Sequence, residues 1–295
     1  MFPGFDERRV PGEGVGLRAR VGGAGPPLLL MHGHPQTSAM WHRVAPELAR
    51  DFTVVAIDLR GYGASDKPAG GGDHAAYSKR AMALDAVGAM RTLGFGRFRV
   101  LAHDRGARVA HRLALDHPER VERMVLLDVA PTLAMYERTS MAFATAYFHW
   151  FFHIQPEPLP ERLIGADPRF YLRALMGGRH AGLAPFAPEA MDEYLRAIDD
   201  PATVRAICED YRASATIDLD HDRADRDADR RVACPLLVLW GRHGTIERCF
   251  EPLAEWRRVA GDVGGQALDC GHYVAEEAPA DLLAAALPFL RAAPG

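Results

Sequence analysis

The 295-residue sequence has little of several features that would each indicate a particular class of protein. Its four cysteines form no CxxC pair, so we expect reduced thiols rather than a disulfide framework or a zinc ribbon. No apolar run reaches the roughly 18 residues that cross a bilayer, and the N-terminus lacks the regions of a secretory signal. Acidic and basic residues nearly balance, 39 against 35, which argues against bulk attraction to nucleic acid or membranes. We therefore expect a cytoplasmic protein without a nucleic-acid or membrane partner.

Short apolar runs separated by helical segments predict a mostly parallel sheet covered by helices, which is an α/β fold. The runs lie at residues 28–31, 54–58, 99–102, 124–128 and 236–240. Between residues 132 and 215 this pattern gives way to helical segments with clustered aromatic residues and no buried strand. We therefore predict an α/β core domain formed by residues 1–131 and 216–295, with residues 132–215 inserted as a helical cap domain.

The sequence HDRGAR at residues 103–108 follows one of these apolar runs and begins an amphipathic segment. A turn of the form small-x-nucleophile-x-Gly places its central residue on a strained strand-to-helix elbow above a sheet. Asp104 occupies that central position, where serine is more usual. An aspartate forms an ester by displacing a leaving group from carbon, so this turn favours alkyl halides and epoxides over acyl transfer.

Two arginines follow this carboxylate, at positions 105 and 108. Arg105 is adjacent to Asp104 and Arg108 lies one helical turn further on, so both side chains can face one pocket. Because a guanidinium binds a carboxylate through two parallel hydrogen bonds, we expect a small anionic substrate held by Arg105 and Arg108. The alternative is that these arginines pair with carboxylates of the protein, which would leave Arg108 at the surface.

With His32-Gly33-His34-Pro35 before it and Gly271-His272 near the C-terminus, the elbow makes the chain resemble the α/β-hydrolase superfamily. The resemblance covers almost the whole chain. More narrowly, the sequence is similar to the fluoroacetate (haloacetate) dehalogenases. The matching motifs lie at residues 32–37, 40–42, 103–108, 127–128, 149–150, 210–212 and 271–272.

The resemblance implies that short 2-haloacids, such as fluoroacetate or chloroacetate, are hydrolysed to glycolate and halide. Asp104 would attack the carbon that carries the halogen, and His272 would then activate water against the resulting ester. Asp128 would orient His272, whereas Asp269, although closer in sequence, is expected to point elsewhere. Backbone N–H groups of His34 and Arg105 would stabilise the oxyanion, and His34 is also expected to contact substrate. No cofactor and no metal ion are expected.

The same resemblance assigns the departing halide to three donors in the cap: His149, Trp150 and Tyr211. Without it, Trp150 and Tyr211 would be interpreted as packing residues of the cap. His149 and His153 stand four residues apart and could ligate a metal, but the proposed chemistry needs none. The resemblance also suggests a homodimer formed through the cap.

Two positions depart from the family pattern. His34 stands where the family usually has a bulky apolar residue, which makes the pocket more polar near the oxyanion. Gly177 and Gly178 occupy a region of the cap where an aromatic residue is expected, which predicts a roomier pocket.

Two other functions stay open at this point. An epoxide hydrolase would use the same Asp-His-Asp set with two cap tyrosines, for which Tyr147, Tyr194 and Tyr211 are available. Arg105 would then be out of place beside a neutral substrate. The second alternative is a ligand-binding homologue of the superfamily that lacks catalysis.

Overall fold

The structure, a computed structural model, describes residues 1–293. Within this range eight strands form one sheet in the order β1-β2-β4-β3-β5-β6-β7-β8. The strands are β1 (Phe5–Pro11), β2 (Gly16–Gly22), β3 (Pro27–Met31), β4 (Thr53–Ile57), β5 (Phe98–His103), β6 (Val121–Leu127), β7 (Leu236–Gly241) and β8 (Val263–Leu268). Strands β1 and β2 are antiparallel to their neighbours, and β3 to β8 run parallel. The predicted α/β fold with a mostly parallel sheet is confirmed.

The apolar runs identified five of the eight strands and missed β1, β2 and β8. β1 and β8 lie at the two edges of the sheet, where a strand needs no continuous apolar run. β1 is largely exposed and rich in charged residues, whereas β8 carries two glycines. β5, in contrast, lies inside the sheet and is buried along its whole length.

Helices cover the sheet and account for most of the remaining chain. Those of the first part are α1 (Ala45–Leu48), α2 (Lys79–Thr92) and α3 (Asp104–Asp116). Between β6 and β7 lie α4 (Thr132–Glu137), α5 (Met141–Ala146), α6 (Phe148–His153), α7 (Leu159–Ala166), α8 (Pro168–Gly177), α9 (Pro188–Ile198), α10 (Pro201–Ala215) and α11 (Ile217–Asp227). The last four are α12 (Thr245–Cys249), α13 (Pro252–Arg257), α14 (Val274–Glu277) and α15 (Pro279–Arg291). Short 3-10 helices occupy Ser38–Arg43 and Ala75–Tyr77.

Residues 132–215, called the cap segment below, contain helices α4 to α10 and no strand of the sheet. The segment lies against the core partly through ion pairs that are partly buried. Glu193 of α9 accepts hydrogen bonds from Arg18 (2.7 Å) and Arg20 (2.6 Å), both on β2. The exact domain boundaries stay a prediction.

The carboxyl ends of the parallel strands meet on one edge of the sheet, facing the cap segment. His32, Asp58, Asp104 and Asp128 directly follow β3, β4, β5 and β6, as the sequence predicted. Ligands of such sheets bind at this edge, so the functional site is expected between these residues and the cap segment. No helix in the described range has both the length and the apolarity that crossing a membrane requires.

Candidate active site

Asp104 is the first residue of α3 and has a φ angle of +45°. This left-handed conformation is strained for a residue with a side chain, and at a strand-to-helix elbow it raises the carboxylate above the sheet. The chain can turn so tightly because a Cβ atom at Gly106 would lie 2.5 Å from the carbonyl oxygens of Met31 and His32. Only glycine therefore fits two residues after the carboxylate. The Oδ1 atom of Asp104 accepts a 3.0 Å hydrogen bond from the backbone N–H of His34.

His272 and Asp128 form the second part of the site. The Nδ1 atom of His272 lies 2.6 Å from Oδ2 of Asp128, whose Oδ1 accepts a hydrogen bond from the backbone N–H of Gly241 at 3.0 Å. This arrangement places the proton on Nδ1 and leaves Nε2 free to act as a base. Asp269 instead lies 2.8 Å from His243 on the surface, so it points away from His272 as expected.

The charges around Asp104 keep its carboxyl group ionised. Burial alone would raise the pKa of Asp104, but His272, Arg108 and Arg105 together lower that pKa well below its usual range. Asp104 is only 3% exposed, so little water can hydrogen-bond to its carboxylate. A buried, ionised carboxylate is a nucleophile that needs no base to activate it.

Arg105 is held by Asp210 of the cap segment. Its Nε and Nη2 atoms donate to the two carboxylate oxygens of Asp210 at 2.9 and 2.7 Å, and Nη2 also donates to the Asp210 carbonyl oxygen and to Ser214. The guanidinium stacks on the ring of Tyr211, 4.1 Å from its centroid. Among the described residues Nη1 has no hydrogen-bond partner. Arg105 is therefore paired with a carboxylate of the protein, as the alternative interpretation held, and keeps one nitrogen for a ligand.

Arg108 is also buried, so the alternative that placed it at the surface is wrong. Its Nη1 atom donates to the Thr132 hydroxyl at 2.9 Å and to the Ala130 carbonyl at 3.2 Å, and the guanidinium stacks on Trp150. Neither contact carries a negative charge, and within residues 1–293 its Nε atom has no partner. Arg108 thus brings to the site a positive charge without an ion-pair partner among the described residues. Burial lowers the pKa of Arg108, and Asp104 is the carboxylate that most opposes this shift.

The three side chains assigned to the halide lie together in the cap segment. The ring centroid of Tyr211 is 5.8 Å from that of His149 and 6.2 Å from that of Trp150. In the described part of the chain the Nδ1 atom of His149, the Nε1 atom of Trp150 and the hydroxyl of Tyr211 are buried without a hydrogen-bond partner. Because an unsatisfied buried donor is costly, three in one place indicate a site that receives a polar or anionic ligand.

His34 stands between the elbow and this trio. Its ring lies 6.0 Å from that of His149 and 5.4 Å from that of Tyr211, measured between centroids. Burial lowers the pKa of His34 to about 3, so the ring is neutral near pH 7. Both of its ring nitrogens lack partners among the described residues, which makes His34 a polar wall of the site, as its departure from the family pattern predicted.

Several residues around the site were not predicted from the sequence. Asp210 belongs to one of the matching motifs, but only the neighbouring Tyr211 was given a role. Lys79 of α2, a second buried cation in contact with Asp210, carried no signal at all. His153 was considered only as a metal ligand; its ring lies 4.6 Å from that of Tyr211, and its Nε2 atom is 2.6 Å from the Tyr171 hydroxyl.

The fold and this arrangement define a hydrolase of the α/β class. The chain belongs to the α/β-hydrolase family, since the family model for the alpha/beta hydrolase fold matches residues 26–279. The resemblance found in the sequence is confirmed: fluoroacetate dehalogenase from Burkholderia sp. is 47% identical over 95% of this chain and 92% of its own length.

Two further relatives are a solved structure and an epoxide hydrolase. A solved structure from Nostoc sp. PCC 7120, which bears the name of an alpha/beta hydrolase, superimposes with a TM-score of 0.97 and 52% identity. It covers 99% of this chain and 100% of its own. The soluble epoxide hydrolase of Corynebacterium sp. (strain C12) is 34% identical over 90% of this chain and 91% of its own length. Both chemistries considered from the sequence are therefore represented among relatives of similar length.

Proposed function

We propose that this protein hydrolyses the carbon–halogen bond of short 2-haloacids, with fluoroacetate and chloroacetate as representative substrates. The observation that carries the proposal is a pair of buried guanidinium nitrogens beside an ionised Asp104, namely Nη1 of Arg105 and Nε of Arg108, which have no hydrogen-bond partner among residues 1–293. A substrate carboxylate satisfies both nitrogens, and this holds the adjacent carbon near the nucleophile. The similarity to a fluoroacetate dehalogenase supports the same reaction.

In the first step a carboxylate oxygen of Asp104 attacks the substrate carbon from the side opposite the halogen. The new carbon–oxygen bond forms as the carbon–halogen bond breaks, and the halide leaves with the bonding electron pair. His149, Trp150 and Tyr211 donate hydrogen bonds to the halide as its charge develops. Burial lowers the pKa of His149, so the ring is neutral and donates from Nδ1 in the tautomer that carries the proton there.

In the second step His272 takes a proton from water, and the resulting hydroxide adds to the carbonyl carbon of the Asp104 ester. The backbone N–H of His34, which already donates to Asp104, then stabilises the oxyanion. As this intermediate collapses, the bond from the former ester carbonyl carbon to the alkoxide oxygen breaks, and His272 returns its proton to that oxygen, which releases glycolate. The proton of the added hydroxyl group passes to solvent, and this restores the Asp104 carboxylate. Asp128 orients His272 and stabilises its protonated form throughout.

Parallel assays of fluoride and chloride release from fluoroacetate and chloroacetate test this proposal. Asp104→Asn should abolish both. His272→Asn should still be alkylated, so intact-mass spectrometry of that variant should detect an ester adduct on Asp104 without turnover. If the unmodified protein releases no halide from either acid between pH 7 and 9.5, the substrate class is wrong.

An epoxide hydrolase is the second candidate, and a specific contact favours it. Tyr147 places its hydroxyl 3.4 Å from Nδ1 of His272, and Tyr211 provides a second buried hydroxyl near the elbow. Two such tyrosines could polarise an epoxide oxygen, whereas Tyr194 is occupied by Glu276 and Gln36. Diol formation from styrene oxide that exceeds halide release from the haloacids would favour this candidate. Binding of both ligand classes without turnover would instead indicate a non-catalytic homologue.

We further propose that two copies of the chain associate through the cap segment, as the family resemblance suggests. Four large apolar side chains of α6, α7 and α8 are more than half exposed there: Phe148, Leu159, Leu163 and Phe170. Exposed apolar patches of this kind mark contact surfaces. Light scattering after size exclusion should report a dimer, and Phe170→Glu should convert it to a monomer; a monomeric unmodified chain would contradict the proposal.

A further inference from the structure

A cavity of about 300 Å³ opens between the cap segment and the core, and it reaches His272. Its lining includes Gly178, Arg179 and His180 from the cap segment, and His243, Arg248 and His272 from the core. Gly178 follows α8 in the region where the sequence predicted extra room for lack of an aromatic residue. Since Asp104 and His272 are themselves only 3% and 4% exposed, a substrate has to pass other residues before it meets them.

The lining of this cavity is strongly basic. The guanidinium groups of Arg179 and Arg248 take part in no ion pair within the described range; Arg248 makes one long hydrogen bond, 3.4 Å, to the Thr245 hydroxyl. The rings of His180 and His243 stack at 4.3 Å between centroids. Asp269 stands beside His243 at the surface, 2.8 Å away, and no acidic side chain belongs to the lining itself. The cavity therefore presents positive charge to anions in solution.

Arg179 connects this cavity to the proposed catalytic residues. Its guanidinium lies 4.4 Å from the ring centroid of Tyr147, and the hydroxyl of Tyr147 is 3.4 Å from Nδ1 of His272. Burial lowers the pKa of Arg179, but Tyr147, Tyr273 and the carboxylates of Asp104 and Asp128 outweigh burial and raise it. Arg179 thus stays charged within the electrostatic reach of the nucleophile.

The three arginines near the site differ in their partners. Arg105 is neutralised by Asp210, and Arg108 is enclosed by Thr132, Ala130 and Trp150. Arg179 alone of the three lines a cavity open to solvent. We propose that this cavity is the access route for the anionic substrate and that Arg179 is an additional anion-binding residue, which captures the carboxylate before Arg105 and Arg108 receive it. The inference rests on the proposed 2-haloacid hydrolysis.

Steady-state halide release from chloroacetate by three variants tests this inference. Arg179→Gln removes the charge, Arg179→Lys keeps it, and Arg173→Gln is the matched control because Arg173 is exposed on α8 outside the cavity. Each protein is assayed as the full chain. Ionic strength is raised with sodium sulfate because the sulfate anion is too large for a halide site. At low ionic strength Arg179→Gln should lower kcat/KM about tenfold, within the range of electrostatic steering, while kcat changes less than twofold.

If the charge of Arg179 attracts the substrate, three further results are expected. The salt dependence of kcat/KM should weaken in Arg179→Gln, Arg179→Lys should recover most of the activity, and Arg173→Gln should match the unmodified protein. A fall in kcat with an altered pH profile would instead show a structural role through Tyr147 and His272 and would overturn the inference. Identical kcat/KM values for Arg179→Gln and the unmodified protein would overturn the inference alone, whereas no halide release by the unmodified protein would refute the proposed function and the inference with it.

Discussion

Replacement of Asp210 by Asn should show how the buried charges behind the elbow hold Arg105, the arginine proposed to bind substrate. Asp210 accepts hydrogen bonds from Arg105, from the Tyr62 hydroxyl at 2.8 Å and from Lys79, and it is fully buried. Arg105 and Lys79 lower the pKa of Asp210 far enough, against the effect of burial, to keep it ionised. The asparagine keeps the shape of the side chain and removes only the charge.

The loss of folding stability in Asp210→Asn follows from the charged groups that remain buried. Two buried cations, Arg105 and Lys79, lose the carboxylate that they share, and Asp218 lies 3.6 Å from Lys79. Removing one partner of a buried ion pair costs about 3–5 kcal/mol. With an unfolding entropy of about 2.1 cal/mol/K per residue, this corresponds to a fall in Tm of roughly 5–8 °C for a chain of this length. The KM for fluoroacetate should rise about tenfold, as expected when one hydrogen bond to a charged group is weakened.

A double-mutant cycle with Lys79→Met makes the explanation specific. In Asp210→Asn, Lys79 contributes one of the two uncompensated charges, so removing it as well should relieve part of the cost. Urea unfolding of both single variants and of the double variant should give a coupling energy of about 1–3 kcal/mol, which lies within the range found for residues in one charge network. The KM should stay high in the double variant, since Arg105 still lacks its carboxylate.

Additive stability losses, within about 0.5 kcal/mol, would refute this explanation. Additive losses would mean that Lys79 is neutral and leaves Asp210 no charge to compensate. The cycle can distinguish a neutral from a charged Lys79 because two effects oppose each other: burial lowers the pKa of Lys79, whereas Asp210 raises it. An unchanged KM in Asp210→Asn would separately refute the idea that Asp210 positions Arg105 for a ligand.

Two other predictions concern the halide donors and a buried acid. Trp150→Phe removes an indole N–H that contributes about 1.5–3 kcal/mol to a developing anion, so fluoride release should fall more than tenfold and bromide release from bromoacetate should fall less; equal losses would remove Trp150 from the halide site. Burial raises the pKa of Glu276 to about 8, so folded protein holds a proton that unfolded protein loses above pH about 4.5. Stability should therefore decline from pH 5 to 8 relative to Glu276→Gln, by no more than about 5 kcal/mol, and parallel urea-unfolding profiles of the two proteins would contradict this.

The sequence allowed Asp104 and Asp128 to be placed in the fold because each directly follows a strand of the parallel sheet. Residues placed after β5 and β6 meet at one edge whatever the loops between them do, so the strand pattern was enough to place Asp104 and Asp128 there. Their roles came from the elbow motif and from the family resemblance. His272 was recognised from its Gly-His motif. The bond between His272 and Asp128, across 144 residues, then fits this expectation.

The surroundings of Arg105 could not be predicted in the same way. Asp210 lies 105 residues away on α10, and its distance from the elbow depends on how the cap segment lies on the core rather than on any local pattern. Lys79 is an ordinary residue of the first turn of α2 in the sequence, and only the approach of α10 makes it a buried cation. Side chains that meet across two packed layers leave no periodic signal in either layer.

The contacts of Arg105 with Asp210 change the roles expected for the two arginines of the elbow. From the sequence, Arg105 and Arg108 together attract and hold a carboxylate. In the structure Asp210 cancels most of the long-range attraction of Arg105, and what remains is a nitrogen fixed in direction by three hydrogen bonds to Asp210. In the proposed reaction, orientation of the substrate is therefore assigned to Arg105. Attraction has to come from cations that form no ion pair within residues 1–293, and these include Arg108 inside the site and Arg179 and Arg248 at the cavity. Since attraction acts on capture and orientation acts on the bound state, the two contributions can be separated by salt dependence, which Arg179 should control and Arg105 should not.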